Sequence, residues 1–336
     1  MSNTQHIQYP VGQGGLHLGI IGEYAYIYDC GGCGGISKSQ WKNIFADICN
    51  KLSGCNVLDI FISHFHCDHY NKLSELLKNI SSLRLKITIY LPDMDNISKI
   101  LTICDFLSRH RMSYKNRKQF ITDVVNNLNN YHDNRYPIKY LKPGKEYTEK
   151  YGDIILKSYT TNISQDDIEK FKINAREDKL NLDDKTNQIQ NQSLEFWKKA
   201  RRVFKKTFGK NYNPNQVMIC LYCGVTQKSC QKYITCTSWL HTGDANMKSL
   251  ADMRSFSKHF KCLLSYTDFI QIPHHGSANN HDENFSLFFG LCHPCVFYYT
   301  NAQFNTKVKT KIDDIILLPC QQVWAVTNNP LSLIKI

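Results

Sequence analysis

Long hydrophobic runs are missing from this 336-residue sequence. The longest apolar stretches, 57–62 and 312–319, fall far short of the roughly 20 residues that a helical membrane span requires. The N-terminal MSNTQHIQYP has neither a basic n-region nor an apolar h-region, so the expectation is a cytoplasmic protein without a secretory signal. No internal repeat is visible. With 42% hydrophobic and 21% charged residues, the composition excludes a disordered, collagenous or coiled-coil chain. The length suits one large or two medium domains with a sizeable core.

Acidic residues are the scarcer charge. The chain holds 41 Lys and Arg against 29 Asp and Glu, a net of +12. That balance favours anionic partners: nucleic acid, phosphoesters or acidic surfaces. Cysteine, by contrast, is abundant, at 14 residues. In a long chain without a signal, these read as reduced thiols or metal ligands rather than a disulfide framework. Three pairs have C-x-x-C spacing: Cys30/Cys33, Cys220/Cys223 and Cys292/Cys295. Cys220 and Cys223 lie in a strand-like run, where residues three apart face opposite sides, so scattered buried thiols are expected.

Periodicity places the motifs. Residues 7–11, 16–21 and 24–28 read as a β-meander, followed by a glycine-rich loop at 30–35. Helical spacing returns at 39–52, with Ser39 as N-cap. Residues 56–63 form a continuous apolar strand, 72–80 a helix and 86–91 a strand. The segment 96–134 is helical in pattern, and 151–159 is β-like. Within 194–210, seven Lys and Arg stand against one Glu, with Leu194, Trp197, Phe204 and Phe208 as the apolar stripe. This helix reads as docked on the core with a solvated basic face; the alternative is a nucleic-acid or partner surface. Later strands are expected at 217–222, 232–240, 263–272, 295–299 and 322–325. The prediction is a layered α/β fold, one domain over 1–336, with helical insertions at about 96–135 and 160–212.

The chemistry concentrates in Ser63-His64-Phe65-His66-Cys67-Asp68-His69, just past the buried strand. His64 and His66, two apart in extended backbone, point the same way. Asp68 and His69 follow where the chain turns, within reach of a second position. Imidazole and carboxylate suit zinc or a similar divalent ion. Cys67 alternates away from its neighbours and reads as packing. A second feature is Leu240-His241-Thr242-Gly243-Asp244, where a carboxylate at a strand end can bridge two ions. His241 reads as a strand histidine. A third is Pro273-His274-His275-Gly276-Ser277. Adjacent histidines on one strand point to opposite faces. Only one of His274 and His275 is then a direct ligand, and the other orients substrate or donates to a leaving group.

In this order the features resemble the metallo-β-lactamase-fold superfamily. The Val11-Gly12-Gln13-Gly14 and Tyr28-Asp29-Cys30-Gly31-Gly32 segments, with Thr242-Gly243-Asp244 and Pro273–Ser277, are similar to the hydrolase domain of ComEC-type competence DNA-uptake proteins. The resemblance spans about 7–330, without most of 96–212. It implies an αββα sandwich with two divalent ions at one edge, zinc or alternatively manganese. His64 and His66 would hold the first ion, and Asp68, His69 and one of His274/His275 the second. Asp244 would bridge them, and metal-bound hydroxide would attack. Asp68 would also orient the water or carry its proton, which makes Asp68, His274 and His275 the catalytic candidates. The sequence departs from the family at Asn213 and Asn215, where a further histidine can stand, at Gly15 in place of an acid, and near 301–305, where no late histidine is found.

The reading that follows is a metal-dependent hydrolase of phosphodiesters, a nuclease or phosphodiesterase. Its alternatives are an esterase, thioesterase or lactonase on the same site, or a hydrolase gated by a protein partner docked on 160–212 in a bacterial defence assembly.

Overall fold

The computed structural model describes residues 4–33, 35–109, 113–129, 135–182, 189, 192–209, 217–225, 237–248, 250–277, 280–281, 284–285, 296–300 and 321–336. Asn213, Asn215, the Cys292/Cys295 pair and residues 301–305 lie outside them. The first half runs β1 (Thr4–Gln8), β2 (His17–Ile21), β3 (Tyr24–Tyr28), α1 (Lys38–Leu52), β4 (Val57–Phe61), α2 (Cys67–Tyr70), α3 (Leu73–Asn79) and β5 (Lys86–Pro92). It continues through α4 (Asn96–Arg109), α5 (Tyr114–Val125) and β6 (Ile138–Leu141). The second half runs β7 (Glu146–Tyr151), β8 (Ile154–Thr160), α6 (Gln165–Glu177), α7 (Leu194–Phe208), β9 (Ile219–Val225) and β10 (Trp239–His241). It ends with α8 (Leu250–Leu264), β11 (Phe269–Gln271), β12 (Val296–Thr300), β13 (Gln322–Val326) and β14 (Ile334–Lys335). No helix among the described residues is long and apolar enough to cross a membrane.

The strands make two seven-stranded mixed sheets, ordered β14-β1-β2-β3-β4-β5-β6 and β13-β12-β11-β10-β9-β8-β7. In each, an antiparallel meander gives way to a parallel run, from β3 through β6 and from β10 through β13. Strand parity sorts the side chains into layers. Tyr24, Tyr26 and Tyr28 of β3 meet Ile219, Leu221 and Cys223 of β9 between the sheets. Ala25 and Ile27 face the other way, onto the cluster that holds Trp41, Phe45 and Ile48 of α1. Cys220 and Tyr222 face α8 through Phe256 and Phe260. The layers are therefore helix, sheet, sheet, helix, an α/β fold as the sequence predicts. Cys220 and Cys223 fall on opposite faces of β9.

Local signals explain most element bounds and correct several. Helix α1 starts one residue earlier than predicted because Ser37, not Ser39, caps it in a reciprocal pair with Gln40. The strand expected at 263–272 begins only at Phe269. Met253, Phe256, Phe260, Leu263 and Leu264 recur at helical spacing and are buried on α8, which claims the first two residues of that run. On α7 the buried stripe is Trp197, Ala200, Val203 and Phe204, while Leu194 is 39% exposed. Acids of α6 answer part of the α7 charge: Lys206 lies 3.2 Å from both Glu177 and Asp178. Helices α4 to α7 share the apolar cluster of the first sheet.

A second group of histidines is buried between the sheets and away from the acidic groups. Tyr26 Oη lies 3.2 Å from His17 Nε2 and 3.4 Å from His241 Nε2, and His6 Nδ1 lies 3.3 Å from His17 Nε2. His241 Nδ1 is bonded to Tyr298 Oη at 2.8 Å, so this strand histidine is spent on the core. Burial pushes His6 down to about 3 and holds His17 and His241 well below the usual imidazole range. A folded-state pKa below the unfolded value means that stability is full above about pH 6.5 and falls as pH drops toward 3. One such histidine contributes a loss of about 2 kcal/mol between pH 7 and pH 5. Urea unfolding at both pH values should therefore show wild type losing about 2 kcal/mol more than His6→Gln. Equal losses would contradict the buried neutral state of His6.

Candidate metal centre

The parallel runs bring their C-terminal ends to one edge, and the acidic and imidazole side chains sit there. Strand β3 delivers Asp29, β4 delivers 63–69, β10 delivers 242–244, β11 delivers 273–276 and β12 ends at Thr300. The two sheets are tied at this edge: Ile219 N donates to Ser63 O at 2.9 Å, and Tyr28 Oη donates to Ile219 O at 2.6 Å. Gln271 Oε1 accepts from Thr242 N and Gly243 N, both at 3.1 Å, which fixes the turn into Asp244.

Past β4 the chain bends at Phe65, is extended at His66, then closes the single turn α2, which carries Asp68 and His69. That turn needs a neighbour without a side chain. A Cβ on Gly31 would lie 2.5 Å from Asp68 O and 2.8 Å from His69 N, both backbone atoms. Gly31→Ala is expected to destabilise the protein by about 1–3 kcal/mol, the usual result of overpacking, and to displace Asp68 and His69. Urea unfolding and metal titration check both effects. Unchanged values would show that the loop yields freely.

The carboxylate of Asp244 stands at the centre. Its Oδ2 lies 3.3 Å from His64 Nε2, 3.4 Å from His66 Nδ1 and 3.5 Å from His274 Nε2. Its Oδ1 lies 3.4 Å from His69 Nε2 and 3.8 Å from His275 Nε2, and His275 Nε2 is 3.3 Å from Asp68 Oδ2. The other ring nitrogens reveal the tautomers. Asp29 Oδ2 accepts from His69 Nδ1 at 2.7 Å, and Thr300 O accepts from His275 Nδ1 at 3.0 Å. Ser63 Oγ donates to Asp29 Oδ2 at 2.9 Å, so it accepts from His64 Nδ1, also at 2.9 Å. Each of these Nδ1 atoms therefore carries a proton, and each ring turns Nε2 toward a carboxylate, where a cation, a proton or a metal ion, would sit between them.

Lone pairs facing carboxylate oxygens repel unless a cation lies between them. His64 Nε2, His69 Nε2, His275 Nε2 and Asp244 Oδ1 are buried without a hydrogen-bond partner. The ligand atoms of His64, His69 and Asp244 lie within 4.8 Å of one another, as do those of Asp68, His69 and His275. Ligands arranged tetrahedrally at about 2.0–2.1 Å from zinc are about 3.3–3.4 Å apart, close to the separations found here. The residues present fit divalent ions.

Electrostatics agree. Burial, reinforced by His69 beside His64 and by His64 beside His66, pushes both down to about 4, so both are neutral at pH 7. Burial alone would raise Asp244, yet the surrounding His274, His64 and His69 hold it well below the carboxylate range. His69 is the exception: burial works against its charge, but Asp29, Asp244 and Asp68 raise it well above an ordinary imidazole. Phe106 of α4 lies 5.1 Å from the His66 ring and stacks on Phe120 of α5, so these two helices wall this side of the site.

All seven sequence candidates, His64, His66, Asp68, His69, Asp244, His274 and His275, meet at this edge. One reading is corrected. Residues 273–276 are not strand, and His274 (φ 50°, ψ 52°) and His275 (φ 56°, ψ 27°) are consecutive left-handed residues. Each costs about 1–2 kcal/mol for a residue with a Cβ. This doublet turns both rings to one site. Asp29, Ser63, Thr300 and Asn280 orient the histidines; Asp29 and Ser63 lie in segments quoted from the sequence but were given no role there, and Thr300 and Asn280 lie in none.

No family model matches the chain, and no curated protein matches it. Among solved structures, the chain is similar to the metallo-beta-lactamase fold protein YhfI from Bacillus subtilis. That match has 9% identity and a TM-score of 0.47, covering 99% of this chain and 100% of the other. It is also similar to unliganded yeast PDE1, with 11% identity and a TM-score of 0.41, over 99% and 91% of the two chains.

Proposed function

We propose that this protein is a hydrolase using two divalent ions, zinc or manganese, on phosphodiesters. One observation carries the reading: with Nδ1 engaged, His64, His69 and His275 each turn a buried Nε2 that has no hydrogen-bond partner toward a carboxylate. His64 and His66 would hold one ion and Asp68, His69 and His275 the other, with Asp244 placed to serve both. When bound, such ions activate water at neutral pH and stabilise the oxyanion charge of the transition state. The chain's residues supply the rest. Asp29 and Thr300 lock the ring tautomers, burial keeps His64 and His66 unprotonated, and the αL doublet brings His275 into reach. Asp68, turned toward His275, holds and orients. The +12 charge supports an anionic substrate.

The test is a substrate panel on metal-loaded protein. Bis-p-nitrophenyl phosphate, DNA and RNA are set against p-nitrophenyl acetate, a thioester and a lactone. Turnover of phosphodiesters that stops with a chelator and returns with zinc or manganese is expected. Turnover of the carboxylic esters alone would move the assignment to the esterase class. No turnover of any substrate would overturn the hydrolase reading for the isolated chain.

A further inference from the structure

The site has one histidine more than a two-ion centre with a single ligand from 273–276 requires. We infer that His274 supplies a third imidazole to the ion of His64 and His66, and that Asn280 is the residue that positions it. The inference rests on the two-ion reading above and extends it to the ligand count of one position.

Three independent features point this way. First, His274 Nε2 shares the oxygen Asp244 Oδ2 with His64 and His66, at 3.5, 3.3 and 3.4 Å, whereas His275 faces Asp68 and the opposite oxygen. The two neighbouring histidines thus serve different halves of the site. Second, the tautomer of His274 is determined. Asn280 Nδ2 donates to Asp244 O at 2.8 Å, which turns Asn280 Oδ1 toward His274 Nδ1 at 2.6 Å. An amide oxygen only accepts, so Nδ1 carries a proton and Nε2 is the nitrogen turned toward Asp244 Oδ2 and left to meet an ion. Third, the backbone is arranged for both rings. His274 N donates to Gly243 O at 2.9 Å, which ties this turn directly to the Asp244 turn. The left-handed conformation at His274 and at His275 is what prevents the two side chains from pointing apart. The His274 side chain is also 22% exposed, unlike the fully buried His64 and His69. It therefore closes the solvent side of the first position.

Asn280 acts through His274 and the Asp244 carbonyl; it touches neither ion. Fully buried, it couples the two turns that carry the ligands. Its removal should loosen the first position and leave the second, held by Asp29 and Thr300, intact.

The experiment uses the full chain stripped with chelator and titrated with cobalt(II). Equivalents bound are measured by elemental analysis, and ligand geometry by the visible ligand-field absorption. His274→Asn is the first variant, because asparagine tolerates the left-handed backbone. His274→Gly is the second, because glycine relieves it. Wild type should bind two equivalents. Both His274 variants should retain one tight ion and weaken the other by about 10–100-fold or more, with changed cobalt bands. Asn280→Ala should shift the same ion in the same direction. Two equivalents with unchanged affinity and spectrum in both His274 variants would overturn the inference and leave the two-ion reading standing. No bound metal in wild type would overturn both.

Discussion

Asp244→Asn is expected to empty both metal positions and to slow hydrolysis by about 10³-fold or more, the scale of losing one principal electrostatic group in an active site. The substitution keeps shape and removes charge. At present one buried carboxylate faces five imidazoles, three on Oδ2 and two on Oδ1. An amide offers one acceptor and turns its NH₂ donors toward the other rings, so it cannot serve two cations. In the chelated protein the same change should lower unfolding stability, since the imidazoles that hold the Asp244 carboxyl well below its usual range lose that partner. Elemental analysis, steady-state kinetics and urea unfolding of the one variant separate these effects. Retention of two equivalents of metal would show that Asp244 is not the bridge.

Asp29→Asn should lower metal affinity at the His69 position by about 10–100-fold, the usual result of losing a carboxylate behind a ligating histidine. The backbone at Asp29 has φ 60°, which asparagine accepts, so the fold is preserved. The hydrogen-bond pattern is not. Asp29 Oδ1 accepts from Ser63 N at 2.7 Å, and Oδ2 accepts from Ser63 Oγ at 2.9 Å and from His69 Nδ1 at 2.7 Å. An asparagine keeps its oxygen on Ser63 N and points its NH₂ at His69. His69 must then accept at Nδ1 and carry its proton on Nε2, where a metal would bind. The tautomer, rather than the position of the ring, is what fails. A competition titration against a chromophoric chelator measures the loss. Unchanged affinity would mean that Asp29 serves only the loop.

The legibility of this centre in the sequence follows contact range. His64, His66, Asp68 and His69 are close neighbours in one motif, and a strand followed by a turn places them with no long-range information. Asp244 was legible as a carboxylate after a glycine at a strand end. The orienting residues were not: Asp29 reaches His69 across 40 positions, and Thr300 reaches His275 across 25. The relation of His274 to His275 depended on two positive φ angles, and a residue with a Cβ gives no sign of those in a sequence. The layers were legible where parity was clean, as in β3 and β9. Strands β6 and β7 were missed because β6 is only four residues long, with no fully buried position, and β7 is mostly exposed and polar. The basic face of α7 suggested a free surface. Its partial neutralisation by Glu177 and Asp178 depended on how α6 packs beside it.

Anomalous diffraction from crystals grown with zinc, recorded on both sides of the absorption edge, tests the central claim most directly. The account predicts two peaks about 3.5–4 Å apart, one on each side of the Asp244 carboxylate. One peak should be bounded by His64 and His66, the other by Asp68, His69 and His275. Absence of zinc from this edge, or a single ion that leaves either group of ligands empty at saturating metal, would contradict it.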